Sequence, residues 1–299
     1  MTGILPVKKP AGFTSFDVIG KLRGVTKTRK IGHSGTLDPM ATGVLPLFFG
    51  GATKCCDILP LEDKRYVADI KFGIVTDTQD TTGRVLEEHK SSVTKDEFKA
   101  LFLDFTGKQM QLPPMYSAVK VNGRPLYDLA REGKTIERAQ KEIEVYEIKL
   151  LEFDEHAQTA RIEVFCGKGT FIRTLINDMG EKLGCGAAMS ALERTMAGGF
   201  DISECYTIAE VEEMMKSGTF EEHLIPIEGL YKGLPRLILC DFDKRLYRSG
   251  VPLELSKRGW GGVSENVAVF DEQGMLLGIS RMDEEANELK LIKMLNTDK

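Results

Sequence analysis

Alternating apolar and polar positions predict a half-buried strand over residues 66–72, with Tyr66, Ala68, Ile70 and Phe72 on one side. Val67, Asp69 and Lys71 fall on the other. Strands are also expected near 143–153 and over 159–166, where Ala160, Ile162, Val164 and Cys166 alternate with polar or aromatic residues. The period then changes. Ile172, Leu175, Ile176, Met179 and Leu183 recur at helical spacing after the Gly167-Lys168-Gly169 turn, predicting a helix over 171–183 closed by Gly184. At the start of the chain, ILPVKKP reads as a short strand and Ala11-Gly12 as a turn. A helix follows, with Ser15 as N-cap, Val18, Ile19 and Leu22 as its stripe, and Gly24 as its end. Thr94 with Glu97 and Thr207 with Glu210 form capping boxes for two further helices, ending near Gly107 and at Gly218.

The stretches between are as informative. GHSGTLDPMATGVLPLFFGGATK is too punctuated by glycine and proline for one long helix. Residues 111–141 mix prolines, glycines and charges, and read as an exposed excursion carrying a short helix. From about residue 232 the chain changes to short apolar runs broken by glycine, LPRLILCDF, GVPLEL, NVAVFDEQGMLLGISRM and LKLIKML, the pattern of a small β-rich appendage. Strands and helices do not alternate regularly, so an α+β fold is expected rather than a doubly wound sheet.

Composition narrows the class. The 299 residues are 42% hydrophobic and 28% charged, ordinary for a chain that buries a sizeable core. No apolar run reaches the roughly 18 residues of a membrane span. The opening MTGILPVKKPAG shows no basic stretch leading into an apolar one, so export is not expected and the cytoplasm is. The six cysteines contain no C-x-x-C pair and the four histidines are scattered, which argues against zinc and for reduced thiols. The formal net charge of −5 counts against nucleic-acid binding, yet its distribution does not. Residues 8–34 hold seven bases (Lys8, Lys9, Lys21, Arg23, Lys27, Arg29, Lys30) against one acid, Asp17. A basic N-terminal region on an acidic body permits RNA contact.

Three residues stand out chemically. Asp38-Pro39 fits a plain helix start, Asp as N-cap and Pro at the first helical position. It also lies among Gly32, Gly35 and Gly43, which allow a tightly folded loop to approach a ligand, with His33 in the same loop. Arg173 occupies the first turn of its helix, where the macrodipole disfavours a cation. Either it pairs with an unrelated surface acid or it supports an ionised catalytic aspartate. Tyr66 reads as an aromatic at the edge of a sheet or as a platform for an unstacked base. The Gly167-Lys168-Gly169-Thr170 turn lacks the spacing of a phosphate-binding loop.

Six ordered stretches across roughly residues 4–230 resemble the TruB-type pseudouridine synthases. KPAGFTSFDVIGKLR (9–23) is similar to the family's N-terminal motif and GHSGTLDPMATGVLPLFFGGATK (32–54) to its catalytic motif. KRYVADIKFGIVTDTQDTTG (64–83) resembles the tyrosine-bearing strand and PPMYSAVKVNGRPLYDLAREG (113–133) the RNA-gripping insertion. CGKGTFIRTLINDMGEKLGCGA (166–187) resembles the arginine motif, and LERTMAGGF (192–200) the segment after it.

The resemblance implies a pseudouridine synthase fold, a large mixed and mainly antiparallel sheet flanked by helices, with a small C-terminal PUA-like domain. Residues 1–231 would be catalytic, with the insertion at about 111–141, and 232–299 would be the PUA-like RNA-binding domain. The implied reaction isomerises the uridine at position 55 of the TΨC loop of tRNA, flipped out of its stack, with no cofactor and no metal. By motif, Asp38 is the essential carboxylate, attacking the sugar or removing a sugar proton. Tyr66 stacks on the base and assists loss of its C5 proton, and Arg173 keeps Asp38 ionised. Leu192 lines the uracil pocket, and His33 fills the gap left by flipped nucleotides. Lys9 and Pro10 support the site's floor, while Lys64 meets phosphates. The implied partner is the T-arm of tRNA, for a monomer that needs no protein partner. Two other readings stay open: a tRNA-folding chaperone that does not use Asp38, and a guide-RNA-dependent relative that works with partner proteins.

Overall fold

The computed structural model describes residues 1–261 and 266–295. The chain opens with β1 (Gly3–Lys9), α1 (Ser15–Thr26), β2 (Ile31–His33) and β3 (Thr42–Phe49). Thr14, not Ser15, caps α1: its hydroxyl accepts from the amide of Asp17, whose carboxylate in turn accepts from the Thr14 amide. The helix also runs past Gly24 and ends at Lys27, which adopts the left-handed conformation at φ 54°. β3 was hidden in the irregular stretch because TGVLPLFF is buried almost throughout, leaving no alternation to read.

Next come β4 (Lys64–Phe72), β5 (Ile74–Thr76), β6 (Val85–Glu88), α2 (Lys95–Ala100) and β7 (Gly107–Gln111). β4 buries Tyr66, Ala68, Ile70 and Phe72, as its alternation requires. The Thr94–Glu97 capping box is present, but α2 gives way after Ala100 to a single 3-10 turn. The excursion between 111 and 141 holds β8 (Lys120–Val121), β9 (Arg124–Pro125) and α3 (Leu126–Arg131).

The long strands β10 (Lys141–Asp154) and β11 (Thr159–Cys166) lead into α4 (Ile172–Lys182) and β12 (Ala187–Ala197). β13 (Phe200–Asp201), α5 (Ile208–Ser217) and α6 (Ile227–Leu230) follow. The main sheet has the order β1-β3-β12-β4-β11-β10-β7, and its strand pairs are antiparallel except β3 with β12. β4 and β12 are therefore central. α4 covers β4 and β12, burying its predicted stripe in a core shared with Phe72, Val145 and Ile162. On the other half, α1 and α5 pack over β1 and β3 around Leu22, Leu47 and Val211.

The C-terminal part forms β14 (Arg236–Leu239), α7 (Asp241–Arg248), β15 (Leu253–Glu254), β16 (Asn266–Asp271), β17 (Leu276–Asp283) and β18 (Glu288–Met294). Its five strands make a separate sheet ordered β14-β16-β17-β18-β15. α7 is a helix within the part expected to be β-rich, and the short apolar runs do not predict it. Asp241 and Asp243 in its first turn and Arg245 and Arg248 in its last suit the macrodipole. Ala268, Phe270, Leu276 and Ile279 of this sheet join Val44, Phe48 and Tyr231 in one buried cluster. Among the described residues no helix is long and apolar enough to cross a membrane.

Candidate active site

Asp38 lies in a loop held from behind by the N-terminal segment. Lys9 is fully buried, and its ammonium donates to the carbonyls of Pro10 at 2.9 Å and Pro39 at 3.2 Å, and to that of Phe13. Gly12 donates its amide to Pro39 O at 2.8 Å. Ser15, freed from capping, is buried instead, and its hydroxyl accepts the Leu37 amide at 2.9 Å. Asp38 begins no helix. It opens a turn closed by the Ala41 amide on Asp38 O at 3.1 Å, with Pro39 second in the turn. Burial lowers the Lys9 ammonium to about 8, against the pull of Asp38.

Arg173 reaches Asp38 from the first turn of α4. Its Nε lies 2.9 Å from Asp38 Oδ2 and its Nη2 donates to Oδ1 at 3.3 Å, a two-point grip of the carboxylate. Nη1 donates to Thr78 O at 2.8 Å and stands 3.6 Å from Asp80 Oδ2, while Nη2 also donates to Tyr116 O at 2.7 Å. The arginine side chain is 6% exposed and Asp38 34%, so one partner is fixed scaffolding and the other faces outward. Burial raises the Asp38 carboxyl above the usual carboxylate range, and Arg173 opposes that rise. The start of α4 is itself clamped. Gln111 Oε1 accepts the Phe171 amide at 2.8 Å and its amide nitrogen donates to Phe171 O at 3.1 Å.

Asp38 and Arg173 open onto a cavity of about 490 Å³ shared with Tyr66, Ser117, Leu192 and Arg194. That volume suits a small-molecule-sized group. Tyr66 belongs to a central strand, flanked in register by Val164 and Arg194, so it is no sheet-edge tyrosine. Burial raises its phenol, with Arg194 opposing. Arg194 is 1% exposed and donates to Val44 O at 2.8 Å and Gly35 O at 3.0 Å. It thereby joins the catalytic-motif loop to the tyrosine strand. Among the described residues no cluster of three or more His, Cys, Asp or Glu is arranged to hold a metal ion.

Residues 23–172 match the TruB family pseudouridylate synthase (N terminal domain), and 173–232 the tRNA pseudouridylate synthase B C-terminal domain. The chain belongs to the TruB family. It is 42% identical to the tRNA pseudouridine synthase B of Bacillus subtilis (strain 168) over 285 residues, 93% of this chain and 92% of that protein. The enzyme of the same name from Clostridium tetani is 38% identical, covering 99% of this chain and all of its own length (100%). Among solved structures, an H/ACA RNP bound to a substrate RNA containing 2'-deoxyuridine is similar at a TM-score of 0.71, with 23% identity over 99% of this chain and 85% of that one. An archaeal box H/ACA sRNP Nop10-Cbf5 complex gives 0.72, with 23% identity over 98% and 86%. At that identity the likeness concerns the fold, which is the pseudouridine synthase fold that the motifs implied.

In this TruB chain the remaining expected residues fall in three places. Leu192, 8% exposed, faces the same cavity as Asp38 and Tyr66. Lys64 lies at its wall, where its ammonium donates to Glu62 O at 2.8 Å and burial lowers its pKa. Pro10 is exposed and outside the lining; its part is the carbonyl it offers to Lys9. His33 sits in a neighbouring hollow with Phe16, Arg23, Arg29 and Lys30, its Nδ1 buried without a partner among the described residues. The motif reading passed over Asp80, Arg194 and Gln111. Asp80 sits in a Thr/Asp-rich run that looks like any surface turn. Arg194 lies on a strand with no readable alternation, and Gln111 at the border of the polar, proline-rich excursion.

Proposed function

We propose that this protein isomerises uridine to pseudouridine in tRNA, acting on the uridine at position 55 of the TΨC loop with Asp38 as the essential carboxylate. The observation that carries the reading is the outward-facing Asp38 carboxylate held at two points by a buried arginine on the wall of a cavity large enough to admit a nucleotide base. The N1–C1' bond of the nucleotide breaks and a C5–C1' bond forms. The C5 proton leaves and N1 takes one up, so atoms balance with no cofactor, metal or co-reactant. Attack on the sugar and removal of a sugar proton both require an ionised carboxylate beside the ribose. Arg173 serves either route by opposing the effect of burial on Asp38.

Tyr66 and Leu192 offer the aromatic and aliphatic surfaces for the uracil, with Tyr66 assisting loss of the C5 proton. The base must leave its stack, at a cost on the order of a few kcal/mol. His33 fills the space vacated by flipped nucleotides. Lys9 and Pro10 hold the floor. Lys64 and the bases of α1 and the loop after it meet phosphates, which orient the RNA without choosing the base. We assign residues 1–231 to catalysis and 232–299 to a PUA-like domain contacting the acceptor stem. The protein acts as a cytoplasmic monomer without an obligatory partner.

The test is to incubate the purified chain alone with an unmodified tRNA transcript and map pseudouridine along it. The expected result is a single modified T-loop uridine. Modification that requires a guide RNA or further proteins would contradict the stand-alone reading.

A further inference from the structure

Ser117 is 5% exposed and lines the cavity that holds Asp38, Tyr66 and Arg173. Its hydroxyl is buried and has no hydrogen-bond partner among the described residues. Buried polar side-chain atoms are normally satisfied, and an unmet one calls for an explanation. Of the unpartnered buried side-chain atoms among the described residues, Ser117 Oγ is the one on a residue lining this cavity.

Several groups near it already have partners. The carbonyl of the preceding residue, Tyr116, accepts from Arg173 Nη2 at 2.7 Å. The Ser117 carbonyl accepts from the Tyr127 amide at 3.0 Å. Asp38 has both oxygens on Arg173, and Thr170 donates to Gly167 O at 3.1 Å. The backbone on both sides of the hydroxyl is thus fixed, one residue from the carbonyl that meets the Asp38-gripping arginine. Water does not reach Oγ here, and a ligand oxygen is no smaller, so a substrate group meets the hydroxyl through a small shift of Ser117 as the cavity fills.

We propose that Ser117 is a substrate-binding residue, its hydroxyl forming a hydrogen bond to an oxygen of the uridine seated in this cavity. The inference rests on the uridine-isomerase reading and adds a specificity contact from the insertion. A hydroxyl both donates and accepts, so a base carbonyl and the ribose 2'-hydroxyl share the required chemistry. A site built to hydrogen-bond its substrate discriminates against analogues that lack the matching group.

The experiment compares wild type and Ser117→Ala by thermal melting, by tRNA dissociation constant and by single-turnover pseudouridine formation. Each protein is tested with tRNA carrying uridine or 2'-deoxyuridine at the target position. Removing a hydroxyl that bonds nothing in the free protein should leave the melting temperature unchanged or slightly raised. Binding or single-turnover rate should fall about tenfold. If the partner is the ribose hydroxyl, deoxy substitution and Ser117→Ala will each weaken binding and their combination will add nothing. If it is a base oxygen, the two losses will multiply; either pattern supports the contact. Rates and affinities within twofold of wild type, or a lowered melting temperature that accounts for the loss, overturn it. An inactive wild type would overturn the isomerase reading itself, whereas an active wild type matched by Ser117→Ala overturns this inference alone.

Discussion

A single guanidinium, that of Arg173, touches three segments far apart in the chain: Asp38, the Thr78–Asp80 turn and Tyr116 of the insertion. Burial raises the Asp38 carboxyl and Arg173 is the largest opposing influence. In the proposed mechanism the ionised form is the active one, so activity should fall as pH drops through a value above the ordinary carboxylate range. Arg173→Met removes the opposing charge, so Asp38 rises further and the acid limb of the kcat/KM profile moves to higher pH. The same variant should lose at least about 100-fold in rate (~2.7 kcal/mol) while tRNA affinity changes only a few-fold. A pH–rate series on both proteins checks the direction, and an acid limb that stays put would detach Arg173 from Asp38. Arg173 was open to inspection in the sequence because a cation in the first turn of a helix is out of place. Its second acid was not. Asp80 accepts from Thr78 Oγ1 at 2.9 Å and the Thr82 amide at 2.9 Å, local bonds that any surface turn could make.

At the scale of elements, β12 explains why part of the site stayed hidden. Its pairing with β4 breaks register between Met189 and Ala191 and again between Arg194 and Met196. Two such irregularities erase the period of two by which a strand is recognised. Arg194 and Leu192 lie on this strand, so only the motif resemblance, and for Leu192 alone, pointed there. β4 and α4 have unbroken periods, and their buried faces could be read directly. The parallel contact of β3 with β12 depends on Gly43, whose φ is +103°. A Cβ there would stand 2.1 Å from Arg194 O. Gly43→Ala should therefore destabilise the chain by on the order of 3–5 kcal/mol and depress activity through Arg194. Urea unfolding measures it, and a loss under about 1 kcal/mol would show that the two strands separate easily.

Across the whole molecule, the formal charge of −5 conceals a local surface. Of the seven N-terminal bases, Lys9 is buried, Lys8 pairs with Glu193 at 3.4 Å and Lys21 with Glu212 at 2.7 Å. Arg23, Lys27, Arg29 and Lys30 have no carboxylate in ion-pair range among the described residues. Arg23, Arg29 and Lys30 line the hollow beside His33. Arg29→Ala with Lys30→Ala should weaken tRNA binding and lower the salt dependence of log K by about one for each phosphate no longer neutralised. The rate at saturating tRNA should not change. An unchanged salt slope would move the RNA elsewhere on the surface. The small C-terminal sheet was legible as β-rich from its short apolar runs. Its shared core with Phe48 and Tyr231 was not, because cross-element packing leaves no local period.

The proposed role of Asp38 in uridine isomerisation can be tested on its own. Its most direct test uses a tRNA transcript labelled with tritium at C5 of uridine, incubated with wild type and with Asp38→Asn while tRNA binding is measured for both. Tritium release at one T-loop uridine is expected from wild type alone, with both proteins folded and binding tRNA. Release by Asp38→Asn at the wild-type rate would remove Asp38 from the reaction. No release from a folded, tRNA-binding wild type would contradict the isomerase account and leave a protein that reshapes tRNA without modifying it.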